Sequence, residues 1–177
     1  MRHYLFDSKH DDSFDQWPNI IRQDKAPGRL TGNQRYQVWR PVTLYPDEIE
    51  KWLWMIFHNG PGVLMVDELS HLCYGRNEYS QQYDVILKMG RSKQVGVITL
   101  TQELSKIPQN AFKQSDHRLG FYLEGRYDKM IRNDMLKFEV DQPPDYFGFW
   151  YQHKNGRGEP PYFRDIQSFL GVSGASR

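Results

Sequence analysis

Four apolar residues followed at once by two acids constrain the fold of this chain more than any other feature. The run Val63-Leu64-Met65-Val66 lies between the turn-forming Asn59-Gly60-Pro61-Gly62 and the pair Asp67-Glu68. A short, unbroken apolar run between turn signals is typical of a strand buried on both faces of a parallel sheet. The two carboxylates then emerge at the carboxyl end of that strand, where open α/β sheets bind their ligands.

Turn signals and apolar periodicity divide most of the chain into alternating strands and helices. Besides residues 63–66, strands are predicted at residues 4–6, 36–39, 95–100 and 119–123. Helices are predicted from about Asp47 to His58, after Pro46, and at residues 79–90 and 127–137. The residues after the first strand, up to Asn33, are rich in Pro, Gly, Asp and Arg and are predicted to be irregular.

The C-terminal part of the chain carries a hairpin signal. Aromatic segments at residues 146–151 and 162–163 flank Asn155-Gly156, which predicts a β-hairpin that adds antiparallel strands at a sheet edge. Together these elements predict an α/β fold with a mostly parallel sheet flanked by helices and a C-terminal β-hairpin. We expect one domain over residues 1–170 and a flexible tail at residues 171–177.

Composition limits the environment and the partners of the protein. The single cysteine, Cys73, excludes an intrachain disulfide and suits a reducing compartment. No stretch reaches the roughly 18 to 20 apolar residues that span a bilayer, so we expect a cytoplasmic protein with no membrane partner. The formal net charge is +1, so any contact with nucleic acid must come from a local patch of cations.

The acid pair suits the handling of a magnesium-bound triphosphate. In P-loop ATPases the first acid of such a pair, here Asp67, helps to hold Mg²⁺ through water, and the second, here Glu68, polarises the attacking water. Two adjacent carboxylates at a buried strand end also repel each other and lose solvation, which a structural role rarely requires. The alternative is a strand end whose two acids simply face water.

The segment after the next helix carries a resemblance to a known family. Residues 89–102 read Met-Gly-Arg-Ser-Lys-Gln-Val-Gly-Val-Ile-Thr-Leu-Thr-Gln. With residues 63–68, this resembles the FtsK/HerA group of P-loop motor ATPases, which includes viral genome-packaging ATPases. That group has a strand ending in Asp-Glu, then a helix, a Gly-Arg turn and an apolar strand ending in Thr-Gln. The similarity extends over about residues 4–123, with Tyr4-Leu5-Phe6-Asp7-Ser8-Lys9 and Trp39-Arg40-Pro41 also fitting the group.

The resemblance implies a RecA-like P-loop NTPase core and roles for several polar residues. Thr101 and Gln102 would sense the γ-phosphate, and Arg91 would act on the nucleotide of a neighbouring subunit. Arg118, before the following strand, is a second candidate for contact with nucleotide. The implied cofactors are ATP and Mg²⁺, with Asp67 as the metal residue. Against these roles, Gln102 could cap the next segment, and Arg91 could be a solvated surface residue.

The function implied by the resemblance is ATP-driven movement of double-stranded DNA, foremost in viral genome packaging. The expected partners are DNA, further copies of the chain in a ring, and a viral portal or capsid component, in the host cytoplasm if the protein is viral. The loop at residues 72–78 would face the DNA. Two alternatives stay open: a catalytically inactive assembly module, and a conjugation or phage-assembly (Zot-like) ATPase.

One part of the family pattern is missing from the sequence. A phosphate-binding loop needs a glycine-rich turn with Gly-Lys-Ser or Gly-Lys-Thr at the start of a helix, and neither Gly28, Gly32 nor Gly60-Pro61-Gly62 has that context. The family order places this loop upstream of Met1, and its strand inside the sheet. We therefore expect a partial ATPase domain, since a sheet without that strand would leave backbone groups unpaired. Loss of the loop in a degenerate ATPase is the alternative.

Overall fold

The chain forms two compact units. The structure, a computed structural model, describes residues 1–75, 78–107, 109–121, 126–140, 148–157, 159–165 and 170. The first unit comprises Met1–Ala111 and the second Phe112–Arg177. The predicted tail at residues 171–177 lies outside the described residues.

Strands and helices alternate in the first unit, and antiparallel strands prevail in the second. Within the described residues the strands are β1 (Arg2–Phe6), β2 (Ile20–Ile21), β3 (Tyr36–Trp39), β4 (Gly62–Val66), β5 (Cys73–Gly75), β6 (Glu78–Tyr79), β7 (Val95–Thr99), β8 (His117–Gly120), β9 (Phe149–His153) and β10 (Tyr162–Phe163). The α-helices there are α1 (Pro46–His58), α2 (Gln81–Met89), α3 (Gln109–Gln114) and α4 (Arg126–Leu136).

A parallel five-stranded sheet organises the first unit. Its strand order is β2-β3-β1-β4-β7, and every neighbouring pair is parallel. The strands predicted from apolar runs in this unit are confirmed to within two residues at each end. The prediction of an irregular segment up to Asn33 is wrong at Ile20–Ile21, which pairs with β3. A strand of two residues has too little periodicity to be recognised from sequence.

Helix α1 covers the centre of this sheet with aromatic contacts. Trp52 packs against Trp39 of β3 and against Tyr4 and Phe6 of β1, with ring centroids 5.2, 6.3 and 6.0 Å apart. Its indole Nε1 donates to Gln37 Oε1 at 2.8 Å, so the buried N–H is paired. The buried face of the helix comprises Ile49, Trp52, Leu53, Ile56 and Phe57.

The order of the sheet fixes which loops can meet. Because the strands are parallel, the loops that follow β1, β4 and β7 all leave from the same edge of the sheet. Strand β7 is the last strand on its side among the described residues. Its Ile98 and the following Leu100 are each 51% exposed, which is unusual for the apolar residues of a sheet covered by neighbours.

The second unit contains a separate antiparallel sheet with the order β10-β9-β8. The predicted hairpin is present as β9 and β10, but the hairpin adds to β8 and not to an edge of the parallel sheet. Gly120 lies so close to α4 that an added Cβ would approach Leu136 Cδ1 to 3.0 Å. Residues 122–125 and 141–147, which the sequence prediction assigned partly to strands, lie outside the described residues. No helix in the described ranges of either unit is long and apolar enough to cross a membrane.

Candidate functional site

The two acids after β4 and the Thr-Gln pair after β7 lie side by side. Strands β4 and β7 are neighbours, and their hydrogen bonding continues beyond the carboxyl end of each strand. Leu100 N donates to Val66 O, and Leu69 N donates to Leu100 O, each at 2.9 Å. Both polar pairs leave the sheet at its carboxyl edge because the strands are parallel. The structure therefore brings together Asp67, Glu68, Thr101 and Gln102, the residues grouped from the sequence.

Glu68 is the most heavily bonded group of the site. Its side chain is 3% exposed and accepts hydrogen bonds from Thr101 Oγ1 at 2.7 Å, Gln102 N at 3.1 Å and Ser70 N at 3.2 Å. Lys9 Nζ adds an ion pair at 3.0 Å. Burial acts to raise the pKa of Glu68, but the bonds from Thr101, Lys9 and the two backbone N–H groups outweigh it and lower the pKa to about 2. Glu68 is therefore a stable carboxylate at neutral pH.

Lys9 is a site residue whose contact with Glu68 the sequence did not reveal. The lysine lies in the loop after β1, and β1 is the neighbour of β4 on the side away from β7. The same loop is tied to the segment after Glu68 because His71 Nδ1 lies 2.7 Å from Ser8 Oγ. The sequence does show polar residues, Asp7-Ser8-Lys9, after the first predicted strand. They could not be assigned to the site because the sequence does not show that β1 lies beside β4.

A buried arginine fixes the loop that carries Lys9. Arg40 follows β3 and is 2% exposed, and its guanidinium forms ion pairs with Asp7 and Asp15 and donates to the carbonyl oxygen of Asp11. Asp7 is fully buried, and its second oxygen accepts from Asp11 N at 3.1 Å. This network joins the loop after β1 to the end of β3 and holds the segment around Lys9 in a defined position.

Asp67 provides an unpaired oxygen at the same edge of the sheet. The residue is 9% exposed, and its Oδ2 is buried without a hydrogen-bond partner. Burial raises the pKa of Asp67, Lys9 opposes the rise, and the negative charges of Asp7, Asp11 and Glu68 add to it. A buried carboxylate oxygen without a donor, among other carboxylates, is suited to a cation such as Mg²⁺.

Protein side chains alone do not complete a metal site. Within the described parts of the chain, no group of three or more His, Cys, Asp and Glu side chains is arranged to hold a metal ion. Mg²⁺ keeps several waters and commonly binds through one or two carboxylates together with substrate phosphates. Asp67 therefore fits a magnesium ion that arrives with a phosphorylated ligand, and fits poorly a metal held by protein ligands only.

The structure does not bring Arg91 to this site within one chain. Arg91 lies in the 3-10 helix Gly90–Lys93, which precedes β7 and therefore lies at the amino edge of the sheet. The length of β7 separates the two edges by about 16 Å, at about 3.3 Å per residue. An added Cβ on Gly60 would come within 2.2 Å of Lys93 O, which places this turn beside the start of β4.

Arg118 belongs to the second unit and has internal partners there. It is the second residue of β8 and is buried. Its Nη1 donates to Met135 O at 2.7 Å, and its Nη2 donates to Phe112 O at 3.0 Å. Burial lowers the pKa of its guanidinium. These bonds give the arginine a structural role in its own unit, and its predicted contact with nucleotide stays a prediction.

The described residues have an α/β fold with a mostly parallel sheet flanked by helices and a C-terminal antiparallel hairpin, and this fold is similar to that of solved NTPases. The sequence matches no protein-family profile and no curated protein. Several solved structures are similar to this chain in fold. They include the genome packaging NTPase B204 from Sulfolobus turreted icosahedral virus 2 in complex with ATP-gammaS, at 15% identity and a TM-score of 0.63, covering 93% of this chain and 97% of that one.

A second similar structure comes from a related source. The DNA-packaging ATPase B204 from Sulfolobus turreted icosahedral virus is 14% identical, with a TM-score of 0.65, and the match covers 94% of this chain and 83% of that one. The genome packaging NTPase in complex with AMPPCP matches at 16% identity and a TM-score of 0.63. At these identities the similarity establishes the fold, while activity has to be argued from the residues of the site.

Proposed function

We propose that this chain is the ATP-hydrolysing subunit of a motor that moves double-stranded DNA, specifically a viral genome-packaging ATPase. The observation that carries the proposal is the junction at the carboxyl edge of the sheet, where Glu68 bonds both Thr101 and Gln102 and Asp67 leaves one oxygen unpaired. The similarity of the fold to packaging NTPases solved with ATP analogues supports this assignment.

Each residue of the junction has a chemical task in this proposal. Bound Mg²⁺ would neutralise charge on the phosphates and on Asp67, which would hold it through water. Glu68 accepts a proton from the attacking water, and its position beside Gln102 links it to the group that would contact the γ-phosphate. Thr101 orients the Glu68 carboxylate through its hydroxyl.

The proposed motor needs elements from outside the junction. A phosphate-binding loop of the Gly-Lys-Ser/Thr type would have to be supplied. The strand that leads into this loop would pair with the open side of β7, the strand that Thr101 and Gln102 follow. Arg91 lies at the opposite edge, so it could reach a nucleotide only in another subunit of a ring. The proposed DNA-facing segment, residues 72–78, includes β5 and the first residue of β6, while residues 76–77 lie outside the described residues.

A catalytically inactive assembly module is the second candidate, and two observations favour it. The sequence contains no Gly-Lys-Ser or Gly-Lys-Thr turn. In addition, the Glu68 carboxylate has four donors around it, which lowers its pKa to about 2 and makes it a weak base in this arrangement. For hydrolysis, Glu68 must exchange at least one of these donors for water.

Titration calorimetry with a non-hydrolysable ATP analogue, with and without Mg²⁺, tests the nucleotide site. Nucleotide binding that strengthens with Mg²⁺ and loses this dependence in an Asp67→Asn variant supports the proposed site. Hydrolysis that is stimulated by duplex DNA then separates a motor from the inactive module. Binding that ignores both Mg²⁺ and Asp67 would remove the junction from nucleotide handling.

Lys9→Met is expected to raise the pKa of Glu68 from about 2 toward the ordinary value of 4.5, because it removes the ion pair while Thr101 and the backbone donors remain. Ionised Glu68 stabilises the fold above about pH 4.5, and this stabilisation is lost as the pH falls toward 2. Carboxyl-carbon NMR titration measures the pKa directly. Lys106→Met, which removes an exposed pair with Glu103, should leave the pKa of Glu68 unchanged. An unaltered pKa in Lys9→Met would show that Lys9 does not hold the glutamate.

A further inference from the structure

An arginine-lined cleft lies at the opposite edge of the parallel sheet from the candidate site. It has a volume of about 490 Å³ and forms where β1 and β4 begin. Arg2 comes from β1, Arg29 and Arg35 come from the segment before β3, and His58 ends α1. All the residues that line the cleft belong to the first compact unit, and the structure describes all of them.

The cleft concentrates positive charge that nothing nearby neutralises. Three arginines but no Asp or Glu line it, although the whole chain has 23 Lys and Arg against 22 Asp and Glu. Within the described part of the chain, Arg2, Arg29 and Arg35 form no ion pair with a carboxylate, whereas Arg22 and Arg40 do. The positive charge of the cleft is therefore a local feature and does not follow from overall composition.

The end of helix α1 explains only one of the three arginines. Arg2 Nη1 donates to Asn59 O at 3.4 Å, a long bond at the carboxyl end of the helix, where cations are favoured. Arg29 and Arg35 are exposed, and no described residue accepts a hydrogen bond from either guanidinium. Two further cations at a concave surface repel the first, and a bound anion would turn that repulsion into attraction.

The guanidiniums of Arg2 and Arg29 act on the same point of the structure. Both charges oppose the rise in pKa that burial causes at Tyr4, so both lie within electrostatic range of that one hydroxyl. Arg2 and Arg29 are far apart in sequence, and β1 pairs with β3 just beside Arg35, whose carbonyl accepts from His3 N at 2.7 Å. The fold thus brings Arg2 of β1 together with two arginines of the segment before β3.

We propose that this cleft binds a phosphate-bearing ligand through Arg2, Arg29 and Arg35. A guanidinium presents paired N–H donors that match the oxygens of a phosphate, and an acid-free surface imposes no competing ion pair. The volume lies within the range of sites for small molecules, so it admits a phosphate together with an attached sugar. The ligand is a phosphorylated small molecule or a stretch of nucleic-acid backbone. This site is separate from the junction around Glu68 and stands whether or not the chain hydrolyses ATP.

An Arg29→Gln/Arg35→Gln double variant of the full chain tests the proposal, with pyrophosphate and a short DNA duplex as the two probes. Calorimetry for pyrophosphate and fluorescence anisotropy for DNA are measured at one fixed ionic strength. We expect the wild-type chain to bind at least one probe and the double variant to bind it at least about tenfold more weakly, because the variant loses the charged hydrogen bonds of two guanidiniums. Both arginines are exposed, so thermal unfolding should stay close to that of the wild type.

A charge-matched control separates a site from general attraction. Lys113→Gln/Arg157→Gln removes the same charge from two other exposed positions and should retain binding. Loss confined to pyrophosphate identifies a small phosphorylated ligand, while loss confined to the duplex identifies nucleic-acid backbone. The proposal is overturned if neither probe binds, if the double variant binds like the wild type, or if the control variant weakens binding equally.

Discussion

Replacing Glu68 with glutamine is expected to lower the rate of ATP hydrolysis about 10²- to 10⁴-fold, which is the range that a general base contributes. Binding of ATP should change little, because glutamine keeps the size of the side chain and Asp67 keeps its unpaired oxygen. Single-turnover hydrolysis and equilibrium nucleotide binding separate the two effects. A fall in kcat without a rise in Kd is the expected result.

Glu103→Gln is the matched control for this prediction. Glu103 follows Gln102 directly, but its side chain is 47% exposed and pairs with Lys106 on the surface. The control removes one carboxylate from the loop after β7 and leaves the hydrogen bonds of Glu68 in place, so hydrolysis should stay within about twofold of wild type, as expected for surface substitutions. Undiminished turnover in Glu68→Gln would eliminate Glu68 as the base, whereas the absence of turnover in the wild type would favour the inactive assembly module.

Strand positions in the parallel sheet could be predicted because burial on both faces leaves a local mark in the sequence. Val63-Leu64-Met65-Val66 contains that mark within four residues, whereas Tyr36-Gln37-Val38-Trp39 was recognised from its alternation and its β-prone residues. The grouping of Asp67 with Gln102 rested on the resemblance to the motor ATPases, because a local pattern does not show which strands are neighbours. The strands of the C-terminal hairpin could also be recognised from a local pattern. Their pairing with β8 could not, so the sheet that they join was predicted wrongly.

The contact of Lys9 with Glu68 and the ion pairs of Arg40 could not be predicted, because each joins segments that are distant in sequence. Lys9 and Glu68 are 59 positions apart, and their pairing depends on β1 lying beside β4. Arg40 looked like the end of a strand before Pro41, yet it is buried and pairs with two acids of the loop after β1. Net charge and composition contain no information on such pairs, since the same residues exposed to water would give the same totals.

Arg40→Met is expected to lower the free energy of unfolding by about 3 to 5 kcal/mol, the usual cost of removing one partner from a buried ion pair. Asp7 would remain fully buried with a negative charge and without its guanidinium partner. At roughly 2 to 4 °C per kcal/mol for a chain of this size, the midpoint of thermal unfolding should fall by about 10 °C. Urea unfolding followed by circular dichroism measures the change.

An Arg22→Met variant gives the matched control, because Arg22 pairs with the same Asp15 but is 59% exposed. Exposed pairs contribute about 0 to 1 kcal/mol, so this variant should unfold almost like the wild type. Adding Asp7→Asn to Arg40→Met should recover part of the lost stability, because the double variant no longer buries an unpaired charge.

The loop between Asp7 and Asp15 carries Lys9, so Arg40→Met should also shift the Glu68 carboxyl resonance, whereas Arg22→Met should not. Equal stability of the two arginine variants would show that Arg40 does not anchor this loop. Thr101 and the backbone donors would then hold Glu68 without support from the end of β3.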